Sequence, residues 1–475
     1  METTYDVIVL GGGPTGENVA DRAHRGGLRT AVVEAQLVGG ECSYWACIPS
    51  KALLRPAAAR RAALAVDGAK EAVTGDLDMD AVFARRDYMT SHWSDAGQVS
   101  WLEGAGIALV RGYGRLAGPK TVEVTAEDGT LSTLRAEHAV VLSTGTVASV
   151  PAQIDGLVDA RPWISRDATS ARAVPRRLAI LGGGVVAVEM ATAFASFGSQ
   201  VVLFERADRL LGGVEPFAGE MVATALRDLG ADVRLGVTVR AVTRNGGTVT
   251  VEVGDGGSVE ADEVLCALGR RPATDDIGLE TVGLEPGGWI DVDDSLRVGA
   301  VEGGWLYAVG DINHRALLTH MGKYQGRVCG DVVAARARGE MGDATQAWSR
   351  FAASADHAAV AQVIFSDPEV AAVGLNEAAA RAAGYQVSVV GCDMASISGA
   401  YLASDHYVGQ AKLVVDAERE VVLGATFVGP DVAELLHSAT IAVVGEVPIP
   451  RLWHAVASFP TVSEVWLRLL EAYGC

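Results

Sequence analysis

Apolar residues in this chain come in short runs broken by glycine, and two of the runs share one design. Residues 5–10 end in Gly11-Gly12-Gly13-Pro14-Thr15-Gly16, followed by a stretch of helical spacing, residues 30–33 and Glu34. Residues 178–181 end in Gly182-Gly183-Gly184-Val185-Val186-Ala187, followed by a second helical stretch, residues 201–204 and Glu205. In both copies the acid stands 23 positions after the first glycine. Each reads strand, glycine turn, helix, strand, acid, so a βαβ unit is predicted twice.

The pattern has a physical reason. The first glycine makes the tight turn, the second lets backbone approach a pyrophosphate, and the third small residue packs helix on strand. Free N–H groups and the positive dipole end at the helix start then face the phosphates. The closing acid accepts hydrogen bonds from ribose hydroxyls. One glycine turn alone is as often an ordinary strand–helix junction. Two copies with strand, helix and acid in register imply two dinucleotides, held by Gly11, Gly13, Gly16 and Glu34 in one and by Gly182, Gly184 and Glu205 in the other. Glu205 favours NADH, because a carboxylate repels the 2′-phosphate of NADPH. Arg206 beside it offers that phosphate a partner, so NADPH stays open.

Elsewhere residues 57–66 and 81–102 have helical spacing, and residues 121–125, 140–143, 248–253 and 263–268 read as strands. Residues 149–156 suit a crossing between domains. From about Ser349 short strands at 361–365, 387–390 and 412–415 alternate with helical stretches, and 462–472 closes as a helix. That last block reads as a separate α+β domain.

Composition narrows the function classes. A chain of 475 residues is too long for one core, so about three domains are expected. A net charge of −20 disfavours nucleic acid as a partner. The N-terminus lacks a basic, long-apolar secretory pattern and no run suits membrane insertion, so a soluble cytoplasmic protein is the expectation.

Of six cysteines only Cys42 and Cys47 lie close together. Five residues of ideal helix rise about 7.5 Å, beyond the usual reach of a disulfide, so a bonded pair needs a loop or a distorted first turn here. Pro49 supports this, placing Cys47 at the N-terminal end of a helix starting near Ser50, where the dipole lowers a thiol pKa. That helix is expected to kink or restart at Pro56. The pair could be redox-active or two inert core thiols. Half a zinc site is a third reading, though no further ligand lies nearby in sequence.

With these residues in view, the chain resembles the class I pyridine nucleotide–disulfide oxidoreductases, which include dihydrolipoamide dehydrogenase and mercuric reductase. Gly39-Gly40-Glu41-Cys42 through Cys47-Ile48-Pro49-Ser50-Lys51 is similar to that family's disulfide motif. Ser143-Thr144-Gly145-Thr146 resembles the exit of its FAD domain, Gly269-Arg270-Arg271-Pro272 the exit of its NAD domain, and Tyr307-Ala308-Val309-Gly310-Asp311 its second FAD motif. The resemblance implies an α/β fold of two Rossmann-like dinucleotide-binding domains plus a C-terminal α+β dimerisation domain. It implies an FAD-binding domain over 1–149, an NAD(P)-binding domain over 150–275, a central domain over 276–348 and a dimerisation domain over 349–475. FAD and NAD(H) are the implied cofactors, a homodimer the implied assembly, and a small-molecule electron acceptor the implied substrate.

Residue roles follow by the same resemblance. Cys42 and Cys47 would form the redox disulfide, with Cys47 on the flavin side and Cys42 as the interchange thiol. Gly40, Thr144, Gly145, Gly269 and Asp311 would line the cofactors, and Leu318 and His320 would lie near the flavin. Lys51 and Glu189 match an ion pair beside the flavin. Taken singly, each is as well read as a solvated helix charge.

One position departs from the family. Its C-terminal active-site motif reads His-x-His-Pro-Thr-x-x-Glu, whereas this chain has Ala457-Ser458-Phe459-Pro460-Thr461-Val462-Ser463-Glu464. Glu464 is kept, but Phe459 stands where the catalytic imidazole would be. General acid–base help of roughly 10²–10⁴-fold is thereby lost. His454 or His437 could substitute, though each reads more simply as an ordinary helix histidine. The adjacent C-terminal cysteine pair of mercuric reductase is also missing, Cys475 standing alone. Bulky Tyr44 and Trp45 either reshape the substrate side or pack. The leading expectation is a dimeric reductase of a quinone, a metal ion or an atypical disulfide. A dihydrolipoamide dehydrogenase with another base is the second expectation, and a flavin-holding interaction module the third.

Overall fold

The computed structural model describes residues 2–254 and 256–475. The chain divides into two compact units. The first comprises residues up to Pro49, Asp87–Val147 and Arg270–His357; the second comprises Ser50–Arg86, Ala148–Gly269 and Ala358–Cys475.

In the first unit the Glu2–Leu10 strand pairs in parallel with Thr30–Glu34 on one side and Leu131–Leu142 on the other. Ala108–Arg111 extends one edge, Thr121–Thr125 and Tyr113–Leu116 the other, and Leu306–Ala308 also pairs with Leu131–Leu142. Val7, Ile8, Val9 and Leu10 are all buried, as expected for a central parallel strand covered on both faces. The Pro14–Arg25 and Thr319–Ala337 helices pack together on that sheet. Their closeness rests on Gly322, Gly326 and Gly330, spaced four apart on one face. A Cβ on Gly326 would sit 2.5 Å from the Thr15 carbonyl oxygen, and one on Gly330 2.7 Å from that of Val19. The bidentate pair of Arg22 with Asp331, at 2.6 and 2.9 Å, ties the same two helices.

The second unit holds a parallel sheet ordered Asp232–Arg234, Gln200–Phe204, Arg177–Leu181, Glu263–Cys266. An antiparallel sheet follows the order Ala361–Ile364, Glu369–Gly374, Val421–Gly429, Gln410–Asp416, Val387–Asp393. One apolar core spans both: Phe194, Leu203 and Leu226 share it with Ile364, Val370 and Val428. Among the described residues no helix is long and apolar enough to cross a membrane.

Three local expectations are corrected. Residues 81–102 are not one helix: Met79–Met89 and Ala96–Ala105 are separated by Ser91, His92 and Trp93, all at positive φ. Long-range contacts fix this break, since Trp93 donates its indole N–H to the Tyr44 carbonyl and Asp95 accepts from the Val38 amide. The strand expected at 140–143 is the end of Leu131–Leu142, whose first half alternates between exposed and buried positions. The helix expected near Ser50 begins at Cys47 and runs unbroken to Leu64 with Pro56 inside it. Proline deprives the Ala52 carbonyl of its helical donor. Arg85 supplies one instead, its guanidinium lying 3.2 Å from that oxygen.

Candidate active site

The cysteines sit on two consecutive helices. Gly39 and Gly40, at φ 108° and 57°, turn the chain into the short Gly40–Tyr44 helix that carries Cys42. Trp45 ends that helix at φ −135°, and Cys47 opens the next. This break brings together two sulfurs that a continuous helix would hold apart. Both thiols are half-buried. The Cys42 thiol is pushed well above its ordinary range, first by its hydrogen bond to Cys47 and then by burial; the Thr319 hydroxyl and the Lys323 cation pull it back down. The Thr319 hydroxyl also lies 3.2 Å from the Cys47 sulfur. Tyr44 is a packing residue: it is fully buried, with its hydroxyl 3.0 Å from the Val38 carbonyl and 3.2 Å from Gln98 Oε1.

The first glycine turn lies in the same unit. Gly11 has φ 103°, and a Cβ there would lie 2.3 Å from the Ser143 carbonyl oxygen. A Cβ on Gly16 would lie 2.0 Å from the Gly11 carbonyl oxygen. Gly13 caps the Pro14–Arg25 helix without a side-chain cap, leaving the helix start open. Glu34 accepts 2.7 Å hydrogen bonds from the amides of Gly12 and Gln36. Asp311 follows the Leu306–Ala308 strand and accepts from the Thr146 hydroxyl at 2.8 Å; burial pushes its carboxyl up. Arg270 bridges Thr146 and Glu41, with nitrogens 2.6 Å from the Thr146 hydroxyl and 3.0 Å from the Glu41 carboxylate. Thr144 donates to the Ala273 carbonyl, and Gly145 turns at φ 71°. Leu318 caps the Thr319–Ala337 helix, and His320 is exposed in its first turn.

The second unit repeats the turn. Gly182 has φ 110°, with a Cβ position 2.4 Å from the Ala267 carbonyl oxygen. Gly184 caps the Val185–Ser196 helix, and Glu205 accepts from the Ala207 amide at 2.7 Å. Arg206 is exposed, and Gly269 turns at φ 111°. Lys51 and Glu189 form an ion pair: the ammonium lies 2.7 and 2.9 Å from the two carboxylate oxygens. Glu189 is buried and also accepts from the Phe365 amide at 3.0 Å, so it is no surface charge. Phe459 is 75% exposed, Glu464 is buried with one carboxylate oxygen unpartnered, and His454, His437 and Cys475 are exposed.

Sequence reasoning overlooked three features of this geometry. Lys323 and Glu17 were not singled out, and the glycine stripe that positions the Thr319–Ala337 helix was read past. The stripe had a signal in the spacing Gly322, Gly326, Gly330; the two charges had none.

Residues 5–338 match the pyridine nucleotide-disulphide oxidoreductase family, and residues 360–469 match its dimerisation domain. The chain belongs to this family. A dihydrolipoyl dehydrogenase of Haloferax volcanii is 32% identical over 99% of this chain and 96% of its own length. A mercuric reductase of Staphylococcus aureus is 28% identical over 97% of this chain and 81% of its own length. In fold the chain is similar to the Cu(II) complex of the HOCl-induced flavoprotein disulfide reductase RclA from Escherichia coli, with a TM-score of 0.84, 24% identity and 99% of each chain covered. LpdA of Mycobacterium tuberculosis gives a TM-score of 0.83 at 23% identity over all of both chains. The chain is therefore an FAD-dependent pyridine nucleotide-disulfide oxidoreductase. Its residues fit both cofactors: at the two helix starts the Cβ position of Gly13 meets only the Gly40 Cα at 3.9 Å and that of Gly184 meets nothing within 4 Å, and each turn ends at an acid that accepts from backbone, Glu34 from two amides and Glu205 from one.

Proposed function

We propose that the chain is a homodimeric NADH-dependent reductase that delivers electrons through the Cys42–Cys47 dithiol to a small organic acceptor. The observation that carries this reading is the contact among the Cys42 thiol, the Cys47 thiol and the Thr319 hydroxyl. A cytoplasmic pair held this way is catalytic more often than structural. When bound, FAD and the nicotinamide supply a two-electron path that ends at sulfur. Gly11, Gly13, Gly16, Gly40, Glu34, Thr144, Gly145 and Asp311 hold the flavin nucleotide in this reading, with Leu318 and His320 beside it. Gly182, Gly184, Gly269 and Glu205 hold the nicotinamide nucleotide. Glu205 sets the preference for NADH, and Arg206 gives NADPH its residual foothold.

The same proposal assigns domain limits at 149, 275 and 348 to this division of labour. Phe459 removes the usual imidazole from the acceptor side, so turnover of dihydrolipoamide by the usual route is not expected. Dihydrolipoyl dehydrogenase activity by another base remains the second reading, favoured by the 32% identity to the Haloferax volcanii enzyme.

Anaerobic titration with NADH tests the proposal. The expected result is uptake of two reducing equivalents before the flavin bleaches, with a long-wavelength charge-transfer band altered in Cys47→Ser. Bleaching with the first equivalent would reject the dithiol path. Turnover with lipoamide equal to that with quinones and aromatic disulfides would favour the second reading.

A further inference from the structure

A pocket of about 550 Å³ opens in the first unit between the Pro14–Arg25, Ala96–Ala105 and Thr319–Ala337 helices. Its walls include Glu17, Asp21, Gln98, Trp101 and Lys323. That volume suits a small organic molecule and far exceeds a bare metal ion. One hydrogen bond, one close backbone approach and one shared charge link the pocket and its surroundings to the cysteine segment. Gln98 Oε1 accepts from the hydroxyl of Tyr44, the last residue of the helix that carries Cys42. Gly40, two residues before Cys42, abuts Gly13, four residues before Glu17; a Cβ on Gly40 would lie 2.8 Å from the Gly13 Cα. Lys323 stands one helical turn after Thr319, and its charge acts on both Cys42 and Glu17.

Glu17 is the unusual group in this pocket. Its Oε1 is buried with no hydrogen-bond partner. Burial pushes its carboxyl up to about 7, Glu34 adds to the rise, and Lys323 opposes it. Tyr44 feels its charge from the Gly40–Tyr44 helix. Asp21, on the same helix, is paired with Arg25. The Ala96–Ala105 helix contributes neutral Gln98 and Trp101 to the pocket. A carboxyl that titrates near neutrality can both take and give a proton there.

We propose that Glu17 performs the proton transfers for which Phe459 has no imidazole. The inference rests on the dithiol reading above and takes the acceptor to be an organic disulfide. The Glu17 carboxylate takes the proton that Cys42 releases. The Cys42 sulfur attacks one acceptor sulfur, forming a mixed disulfide and breaking the acceptor's S–S bond. The displaced thiolate receives the proton from Glu17. Cys47 then attacks Cys42, closing the Cys42–Cys47 bond and releasing the second acceptor thiolate, which takes the proton lost by Cys47. The dithiol loses two electrons and two protons, and the acceptor gains both.

Two measurements on the full chain test this, with Glu17→Gln as the variant. In infrared difference spectra a protonated-carboxyl band titrating near 7 is expected for the parent protein and absent in Glu17→Gln; no such band, or its survival in the variant, overturns the proposal. Stopped-flow oxidation of the NADH-reduced enzyme by dithiobis(nitrobenzoate) is expected to speed up as pH rises through about 7. Glu17→Gln should lose that limb and run roughly 10²-fold slower, and Lys323→Met should move it to higher pH. A limb unchanged in both variants overturns the proposal. If the parent protein takes no electrons from NADH, the dithiol reading fails by itself, while the infrared titration still decides the state of Glu17.

Discussion

The Thr319 hydroxyl lies 3.2 Å from the Cys47 sulfur and also pulls the Cys42 thiol down. One side chain thus supports the ionised form of a thiol pair whose own hydrogen bond and burial oppose ionisation. Thr319→Val should raise the pH at which the reduced pair ionises. At fixed pH near neutrality, alkylation of the reduced pair should slow roughly tenfold, the value of a hydrogen bond of about 1.4 kcal/mol to a developing anion. Thr319→Ser should restore the parent rate. Alkylation rates measured against pH check this, and an unchanged profile in Thr319→Val would show that the hydroxyl only packs.

The hydroxyl is placed by the glycine stripe one, two and three turns further along its helix. Gly326→Ala sets a methyl 2.5 Å from the Thr15 carbonyl oxygen, and backbone cannot step aside cheaply. A loss of about 2–4 kcal/mol and weaker FAD retention are expected. Gly104→Ala is the control: it lies in the Ala96–Ala105 helix with nothing within 4 Å of its Cβ position. There alanine should raise stability by up to about 1 kcal/mol. Denaturant melts of both variants should move in opposite directions.

These two cases show why only part of the site was legible in the sequence. Both βαβ units were readable because one short segment carries all their parts, with Gly11 to Glu34 and Gly182 to Glu205 at equal spacing. The cysteine break was readable because helical rise forbids a pair at that spacing from meeting on one helix. Thr319 and Lys323 follow Cys47 by more than 270 residues, and Glu17 precedes it on another element. Their meeting depends on packing, which no local period encodes. The helix break at Ser91–Trp93 was hidden for the same reason, since its anchors are Tyr44 and Val38.

Lys51 and Glu189 give a test in the second unit. Glu189 is buried; both its oxygens accept from the Lys51 ammonium, and Oε1 also accepts from the Phe365 amide. Lys51 keeps about a third of its side chain in solvent, which screens the pair. Lys51→Met leaves a buried carboxylate with one amide donor, and a cost of about 1–3 kcal/mol is expected. Glu189→Gln keeps an acceptor for the Phe365 amide, so it should cost less. If the pair also tunes the redox centre, Lys51→Met should weaken the charge-transfer band more than its stability loss accounts for. Equal behaviour of the two variants in melts and spectra would reduce the pair to a structural strut.

Asp356 supplies a prediction in pH. It is buried, accepts from Gln325 at 2.9 Å, and has its other carboxylate oxygen unpartnered. Gln325 in turn accepts from the Gly310 amide at 2.7 Å, so this carboxyl is tied to the turn that carries Asp311. Burial raises it to about 6, with Arg315 opposing. An acid raised on folding binds more protons in the folded than in the unfolded chain between about 4 and 6. Stability from this group is therefore fully present below about 4, falls as pH rises to about 6 and is level above that. Asp356→Asn does not titrate, so its stability relative to the parent should improve by about 2–3 kcal/mol from pH 4 to pH 7. Paired denaturant melts across that range check the difference. A constant difference would place the proton elsewhere, and a difference of opposite sign would mean that Arg315 outweighs burial.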